Sequence, residues 1–273
     1  MKAWNRRSFL KSLSAGVASV AISPAGPVGT LRRISHEGAD PGELPPRVVA
    51  LRTEGGNFRF DPVGLRLDTG ESLVWLNMGD FHTATAFHPD HSHLLGRDVT
   101  LRIPEGADPF HSGMLGLTGG TEFEHRFAVP GVYDYFCQPH YSFGMVGRLI
   151  VGDGSEADPR PPAELNEASR DQMPSMEAVL GARGRTFEWA SRLNGLLWLR
   201  SHREATDAAF RAVEEGVAGD DALQEVLGPG AGEVEARVSE LGEALSAGLD
   251  YESLVRRADR AKDLLRRETG RGN

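Results

Sequence analysis

The chain is 273 residues long, which is enough for two domains of ordinary size. It contains one cysteine, so no internal disulfide can form, and its formal net charge of −9 excludes the basic surface that nucleic-acid binding requires. Beyond the first 25 residues no stretch is apolar enough to cross a membrane, so we expect no membrane span in the mature chain.

Residues 1–25 have the organisation of an export signal. Residues 5–11 read Asn-Arg-Arg-Ser-Phe-Leu-Lys, and residues 12–22 form a mildly apolar run rich in alanine and serine. Paired arginines before Phe-Leu-Lys resemble the twin-arginine signal of bacteria and archaea, and the run is too short to span a bilayer. Ala21 and Ala25 are both possible cleavage points. We therefore expect a periplasmic or otherwise extracytoplasmic protein, with anchoring by an uncleaved signal left open.

A set of short strands is predicted after a linker. Residues 26–46 are rich in glycine, proline and charge and are interpreted as that linker. Residues 47–152 then show short apolar runs separated by turn residues, which predicts a β-sandwich or barrel of roughly a hundred residues with its own core. The predicted strands are 48–51, 65–67, 73–76, 83–87, 123–127, 132–137 and 149–151.

The last third of the chain has helical periodicity. Residues 153–163 predict a second linker, and residues 164–270 are expected to form a small α-helical bundle domain. The clearest series are Val234, Val238, Leu241 and Leu245, then Leu254, Ala258, Ala261 and Leu265, with further helices at 187–197 and 205–217. Gly248 can end the first series and Asp250 can cap the second, which predicts a helical hairpin. Partner docking, oligomerisation and support of the sandwich all stay open as roles.

The one cysteine lies in a stretch of soft metal ligands. Cys137 is followed by His140 and Met145 in a Cys-x2-His-x4-Met spacing. A thiolate, an imidazole and a thioether suit copper, whereas Mg²⁺ and Ca²⁺ prefer oxygen. Strand alternation puts Cys137 on the same face as Tyr133 and Tyr135, so its sulfur is expected to point inward. One more histidine would complete a His-Cys-His set with a weak axial methionine, as in electron-transfer copper sites.

The sequence around this stretch resembles the cupredoxin family of small blue copper proteins, which includes plastocyanin, pseudoazurin and halocyanin. The motifs are Gly-Glu-Ser-Leu-Val-Trp-Leu-Asn at 70–77, His82-Thr83, Pro-Gly-Val-Tyr-Asp-Tyr-Phe-Cys-Gln-Pro-His at 130–140, and Gly144-Met145. They lie within residues 47–152, so the resemblance does not extend to the helical third. It implies a Greek-key cupredoxin barrel holding one type 1 copper ion with four ligands: His82, Cys137, His140 and Met145.

The resemblance implies a one-electron carrier between redox proteins rather than an enzyme. A copper enzyme such as a nitrite reductase or multicopper oxidase needs further copper sites with His-x-His pairs, and only His91-Ser92-His93 has that form. A copper delivery or accessory protein must release its ion, which a buried thiolate disfavours. A role as the copper domain of a larger oxidoreductase complex stays open, as does the identity of the redox partners.

The resemblance also indicates where electrons leave the site. The expected exit is the exposed edge of His140, with Pro139, Phe143 and Gly144 as the surrounding apolar patch. Many plastocyanins have asparagine after the first histidine ligand, and here Thr83 must bond the facing loop instead. Phe136 stands where plastocyanins often carry an outward tyrosine, which puts a second electron path in doubt.

The other histidines are expected to have ordinary roles. His88, His91 and His93 are close in sequence, but no fixed geometry is evident, so a solvated loop is favoured over a second metal site. His111 and His125 are interpreted as structural or exposed residues rather than ligands.

Overall fold

The computed structural model describes residues 44–155, 165–202, 204 and 206–267. The predicted signal at 1–25 and most of the predicted linkers at 26–46 and 153–163 lie outside these described residues. Within the described ranges, no helix is both long enough and apolar enough to cross a bilayer.

Eight strands form two mixed four-stranded sheets. The strands are β1 (Val48–Glu54), β2 (Asn57–Asp61), β3 (Gly64–Leu67), β4 (Ser72–Asn77), β5 (Thr85–Ala86), β6 (Glu122–Arg126), β7 (Gly131–Phe136) and β8 (Val146–Val151). One sheet has the order β2-β1-β4-β6 and the other β3-β8-β7-β5. The pairs β1–β4 and β3–β8 are parallel and the remaining pairs antiparallel. The predicted β-sandwich is thereby confirmed.

Side-chain alternation explains how the sandwich packs. In β4, Leu73 and Trp75 point into the aromatic-rich core shared by the two sheets, while Val74 and Leu76 point to the opposite face. That opposite face is also buried, because the C-terminal helices cover it. A strand that is buried on both faces gives a nearly continuous apolar run, and this accounts for the sequence Val-Val-Ala-Leu at the start of β1.

Eight helices are present in the described residues, the first a single turn in the loop after β5. They are α1 (Ser92–Leu95), α2 (Glu167–Gln172), α3 (Met176–Leu180), α4 (Ala182–Ser201), α5 (Asp207–Ala218), α6 (Asp221–Leu227), α7 (Ala231–Ser246) and α8 (Tyr251–Arg267). The helix α4 lies against β1, where Ser191 Oγ accepts from the Val48 amide at 2.9 Å and donates to the Val48 carbonyl at 3.0 Å. Asn194 donates to the carbonyl of Asp61 at 2.7 Å, which adds a bond from α4 to β2.

Local signals explain the ends of several helices. The predicted hairpin is confirmed: Gly248 follows α7 with a φ of +69°, and Asp250 Oδ1 accepts from the Ser253 amide at 2.9 Å at the start of α8. The sequence patterns did not predict β2, α1, α2, α3 or α6. These elements are short, and α2 and α3 have only one fully buried residue each, so their periodicity is weak.

Candidate metal centre

Three side chains from two distant parts of the chain bring their donor atoms together at one end of the sandwich. Cys137 Sγ lies 3.6 Å from His82 Nδ1 and 3.4 Å from His140 Nδ1, and the two imidazole nitrogens are 3.1 Å apart. All three residues are buried. Among the described residues, this is the one set of three such donors that lie within 4.8 Å of one another.

His82 is held in place by both its backbone and its ring. Its amide donates to the Leu115 carbonyl at 3.1 Å, and its carbonyl accepts from the Leu115 amide at 2.8 Å. On the far side of the ring, Nε2 lies 3.1 Å from Thr53 Oγ1. A proton on Nε2 can be donated to this hydroxyl, and Nδ1 then presents its lone pair toward Cys137.

The loop after β7 positions the other donors. The Cys137 amide donates to the Met145 carbonyl at 3.0 Å, and the Met145 amide donates to the His140 carbonyl at 3.2 Å. These bonds bring the fully buried Met145 back beside the residues that begin the loop. Gly144 has a φ of +89°, and a Cβ there would lie 2.6 Å from the Ala168 carbonyl oxygen, so this position requires glycine.

The helix α2 braces this loop from outside the sandwich. Asn166, which caps α2, donates from Nδ2 to the Tyr141 carbonyl at 3.1 Å, and Ser169 Oγ donates to the same carbonyl at 3.4 Å. Tyr141 lies directly after His140 in the chain. The backbone beside a candidate donor is therefore held by residues of the helical third.

Thr83 links the two halves of the centre. Its amide donates to Cys137 Sγ at 3.3 Å. Its hydroxyl accepts from the Gln138 amide at 2.8 Å. The prediction that Thr83 bonds the facing loop is confirmed.

Burial keeps the donors in their neutral forms when no metal is bound. It raises the pKa of the Cys137 thiol to about 12, although hydrogen bonds from Thr83 act in the opposite sense. Burial also lowers the pKa of His82 to about 4, assisted by the neighbouring His140, whose own pKa is lowered for the same reason. Neutral imidazoles are the forms that bind metals, whereas the thiol must lose its proton when an ion binds.

This donor set fits copper. Two imidazole nitrogens and a sulfur converge without a carboxylate, and a thioether lies on the same loop, so hard oxygen-seeking ions are poorly matched. Three buried donors from two loops offer a trigonal His₂Cys arrangement, which is compatible with a type 1 copper site.

Aromatic rings cover the outer side of the centre. Phe58 stacks on the His140 ring with a centroid distance of 3.8 Å and an interplanar angle of 8°, and the Phe81 ring lies 5.8 Å away. The predicted exposed edge of His140 is consequently small, because the residue is only 6% exposed, while Phe143 beside it is 63% exposed. Gly144, predicted in the same exposed patch, is buried against Ala168. Sequence reasoning missed Phe58 because it missed β2, although the alternation Asn-Phe-Arg-Phe-Asp was a usable signal for that strand.

Three other histidines of the described residues lie in two different surroundings. His125 lies in β6 among the rings of Phe110 and Phe127. By contrast, the rings of His91 and His111 approach to 5.8 Å. Sequence reasoning did not anticipate this pairing, since 20 positions and a long loop separate the two residues.

Comparisons with known proteins agree with this geometry. Residues 47–152 match the family model of copper-binding proteins, plastocyanin/azurin family. A chloroplastic plastocyanin of Tetradesmus obliquus is 31% identical over 106 residues, which are 38% of this chain and 65% of that protein. A plastocyanin of Scenedesmus fuscus is 28% identical, with 38% of this chain and 96% of that protein covered. A pseudoazurin of Methylorubrum extorquens is 32% identical over 99 residues, with 36% and 55% covered.

The match to solved structures has a similar extent. The crystal structure of pseudoazurin from Methylobacterium extorquens AM1 aligns with a TM-score of 0.36 and 25% identity, covering 46% of this chain and 91% of that one. The matched region spans between about half and nearly all of these relatives' own length. With the family match, the two mixed sheets and the buried His-Cys-His triad taken together, residues 47–152 are a copper-binding domain of the plastocyanin/azurin family.

Proposed function

We propose that the protein is an exported one-electron carrier whose single copper ion is held by His82, Cys137, His140 and Met145. The observation that supports the first three ligands is the convergence of their buried donor atoms within 4.8 Å. Met145 is the proposed axial ligand because its backbone is bonded to both Cys137 and His140 and its side chain is fully buried. Copper in such a ligand set supplies one-electron chemistry by alternating between Cu(I) and Cu(II).

The chain itself supplies rigidity around the ion. His82 is fixed through Leu115 and Thr53, and the Cys137 sulfur receives a hydrogen bond from the Thr83 amide. The donors also sit in a close-packed interior, where displacements of side chains are costly. Ligands that are held in this way change position little between the two oxidation states, and this favours fast electron transfer.

Electrons are proposed to leave through His140. The ring lies just beneath a surface on which Phe81 is 44% exposed and Phe143 63% exposed. Phe58 contacts both His140 and Phe143, with ring centroids 3.8 and 5.3 Å away. An apolar patch above a nearly buried ligand lets a redox partner approach and exclude water. The partner is proposed to be another redox protein.

The visible spectrum of the copper-loaded protein tests this proposal. We expect the purified mature chain with one equivalent of Cu(II) to show an intense thiolate-to-copper band, and Cys137→Ser to abolish it. His125→Gln, a substitution outside the triad, is the matched control and should keep the band. A protein that stays colourless with Cu(II) and binds only Zn²⁺ would contradict the ligand assignment.

Turnover assays separate the carrier from an enzyme. The proposal expects the isolated blue protein to accept and give electrons stoichiometrically, without sustained reduction of oxygen or nitrite. Sustained turnover of either would instead favour a copper enzyme or the copper domain of a larger oxidoreductase. Rapid loss of the ion to a chelator would favour copper delivery.

The organisation of the whole chain is also a proposal. Residues 1–25 act as a cleaved twin-arginine signal, 47–152 as the copper domain and 164–270 as a helical domain joined by residues 153–163. Replacement of both Arg6 and Arg7 by Lys should leave the protein in the cytoplasm, which fractionation of the producing cell would show. Export that survives this change would refute the twin-arginine route.

A further inference from the structure

A hydrogen-bond chain of His82, Thr53 and Asp80 runs from the candidate copper centre to the surface. His82 Nε2 lies 3.1 Å from Thr53 Oγ1, and the Thr53 hydroxyl donates to Asp80 Oδ2 at 3.3 Å. Thr53 belongs to β1, whereas Asp80 lies in the loop after β4. His82 is buried, Thr53 half-buried and Asp80 exposed. The hydrogen-bond chain therefore connects a buried candidate ligand to a charge that water reaches.

The protons available to these three groups fix the direction of both bonds. An ionised carboxylate only accepts and a threonine hydroxyl has one proton, so Thr53 donates that proton to Asp80. Thr53 Oγ1 then has only lone pairs to offer His82, and it must accept from Nε2–H. The other ring nitrogen, Nδ1, carries a lone pair, and this atom lies 3.6 Å from Cys137 Sγ. The hydrogen-bond chain thus selects the tautomer of His82 that a metal ion at the triad requires.

Asp80 is held in place although it is exposed. Its φ of +63° is the one positive value at a residue other than glycine among those that the structure describes. Asp80 Oδ1 accepts from the Phe81 amide at 2.9 Å, and the Asp80 carbonyl accepts from Asn77 Nδ2 at 2.9 Å. That carbonyl also lies against Gly116, where a Cβ would overlap its oxygen. One carboxylate oxygen is therefore fixed on the backbone, and Oδ2 is left to face Thr53.

The charge of Asp80 is close enough to act on the centre. Asp80 Oδ2 and His82 Nε2 are separated by no more than the two hydrogen bonds laid end to end. That separation is shorter than the Debye length of about 8 Å at physiological ionic strength, so salt does not screen the charge fully. Cu(II) carries one more positive charge than Cu(I). A fixed negative charge at this separation therefore stabilises Cu(II) more than Cu(I).

We propose that Thr53 and Asp80 are positioning residues of the copper centre, which fix the tautomer of His82 and lower the reduction potential by favouring Cu(II). A carboxylate behind a ligating histidine orients the ring and makes it a stronger ligand. In this protein the Thr53 hydroxyl stands between the two, so the carboxylate stays in water and no unpaired charge is buried. The effect on the potential rests on the proposed function, whereas the tautomer of His82 does not.

Three substitutions separate the hydroxyl from the charge. Thr53→Val keeps the branched shape of the side chain and removes both hydrogen bonds, whereas Thr53→Ser keeps the hydroxyl. Asp80→Asn removes the charge, and asparagine tolerates the left-handed backbone of this position as aspartate does. The amide of that variant can turn either its oxygen or its NH₂ group toward Thr53, so it no longer dictates the direction of the bonds.

Nitrogen NMR of the metal-free protein at neutral pH tests the positioning of His82. The ¹⁵N shifts of the ring distinguish Nε2–H from Nδ1–H, and we expect mainly Nε2–H in the native protein and in Thr53→Ser. Thr53→Val and Asp80→Asn should each lower the ratio of Nε2–H to Nδ1–H at least about twofold, the lower end of the effect of one hydrogen bond. A native ring that is mainly Nδ1–H, or an unchanged ratio in both variants, would refute the positioning.

A redox titration of the copper-loaded protein tests the effect on the potential. A mediator supplies or removes the one electron that separates Cu(II) from Cu(I), and the thiolate-to-copper band gives the Cu(I):Cu(II) ratio at one applied potential. Asp80→Asn and Thr53→Val should each raise this ratio about two- to fivefold, the size expected for a partly exposed charge interaction. Thr53→Ser should keep the native ratio. Glu105→Gln, which removes another exposed carboxylate, is the control and should also keep it.

The two measurements fail independently. A shifted ratio in Asp80→Asn with none in Thr53→Val would refute the route through Thr53, and equal shifts in Asp80→Asn and Glu105→Gln would reduce the effect to net charge. If Thr53→Val does not fold, Asp80→Asn serves both measurements, and a native tautomer and potential in that variant would refute the proposal. If the tautomer of His82 changes as expected while the native protein never turns blue with Cu(II), the proposed function fails and the positioning stands.

Discussion

The ion cluster that joins α8 to the sandwich provides the first prediction. Lys262 is fully buried. Three oxygens surround its ammonium: Asp61 Oδ2 at 3.1 Å, Asn194 Oδ1 at 2.8 Å and Asp259 Oδ1 at 3.0 Å. Removal of one partner from a buried ion pair typically costs about 3–5 kcal/mol. Because Asp259 still faces Lys262, we expect Asp61→Asn to lower the free energy of unfolding by about 3 kcal/mol at pH 7, the lower end of that range.

The free energy of unfolding lost in Asp61→Asn should depend on pH. Burial alone raises the pKa of the Asp61 carboxyl, but the charges of Lys262 and Arg266 outweigh it and hold the pKa far below its ordinary value. An aspartate in the unfolded chain titrates near a pKa of about 3.9. The native carboxylate therefore contributes its full stability above that pH, and this stability declines as the pH falls toward the native pKa. The difference between the native protein and Asp61→Asn should be largest at pH 7 and smaller at pH 3.

Urea unfolding of the metal-free protein at both pH values measures this difference. Glu252→Gln, which removes an exposed partner of Arg256 on the same helix, is the control and should cost at most about 0.5 kcal/mol. Asp61→Asn combined with Lys262→Met should cost less than the sum of the single changes, since the pair interacts directly. A loss below about 1 kcal/mol for Asp61→Asn at pH 7, or an equal loss at both pH values, would refute the reasoning.

Three further predictions concern the copper centre. Phe58→Ala uncovers His140, so its pKa in the metal-free protein should rise toward the ordinary value; an NMR titration that shows no change would contradict this. Burial keeps the Cys137 thiol protonated, so Cu(II) binding at pH 7 should release about one proton, measurable by calorimetry in buffers of different ionisation enthalpy. Gly144→Ala should lower the free energy of unfolding by about 1–3 kcal/mol, because the positive φ and the nearby Ala168 carbonyl both disfavour a Cβ at this position. Thermal unfolding measures this loss, and a variant as stable as the native protein would contradict the prediction.

Local patterns predicted much of the fold. Tyr133, Tyr135 and Cys137 do share the core between the sheets, and Phe136 packs in a separate cluster on the other side of β7, as strand alternation requires. The Cys-x2-His-x4-Met spacing predicted three of the proposed ligands, because these residues are close in sequence and lie on one loop. His82, which lies far from that loop in sequence, was found through the family resemblance.

Contacts between distant segments could not be predicted in this way. The continuous apolar run of β1 signals burial on both faces, but nothing local tells which helices provide the second layer. The contact of Thr53 in β1 with His82, and that of His91 with His111, join segments that are far apart in the sequence. Such contacts are determined by tertiary packing and produce no periodic pattern in the sequence.

The bonds from α2 to the Tyr141 carbonyl have a consequence for protein engineering. A fragment that ends at residue 152 would keep every proposed copper ligand and all eight strands, yet it would lack Asn166 and Ser169. Its ligand loop would lose the two bonds to the Tyr141 carbonyl, and the apolar face of β1 and β4 would meet water. The minimal unit for transplanting this copper centre into another scaffold is therefore the sandwich together with its helices, even though the family match ends where the sandwich does.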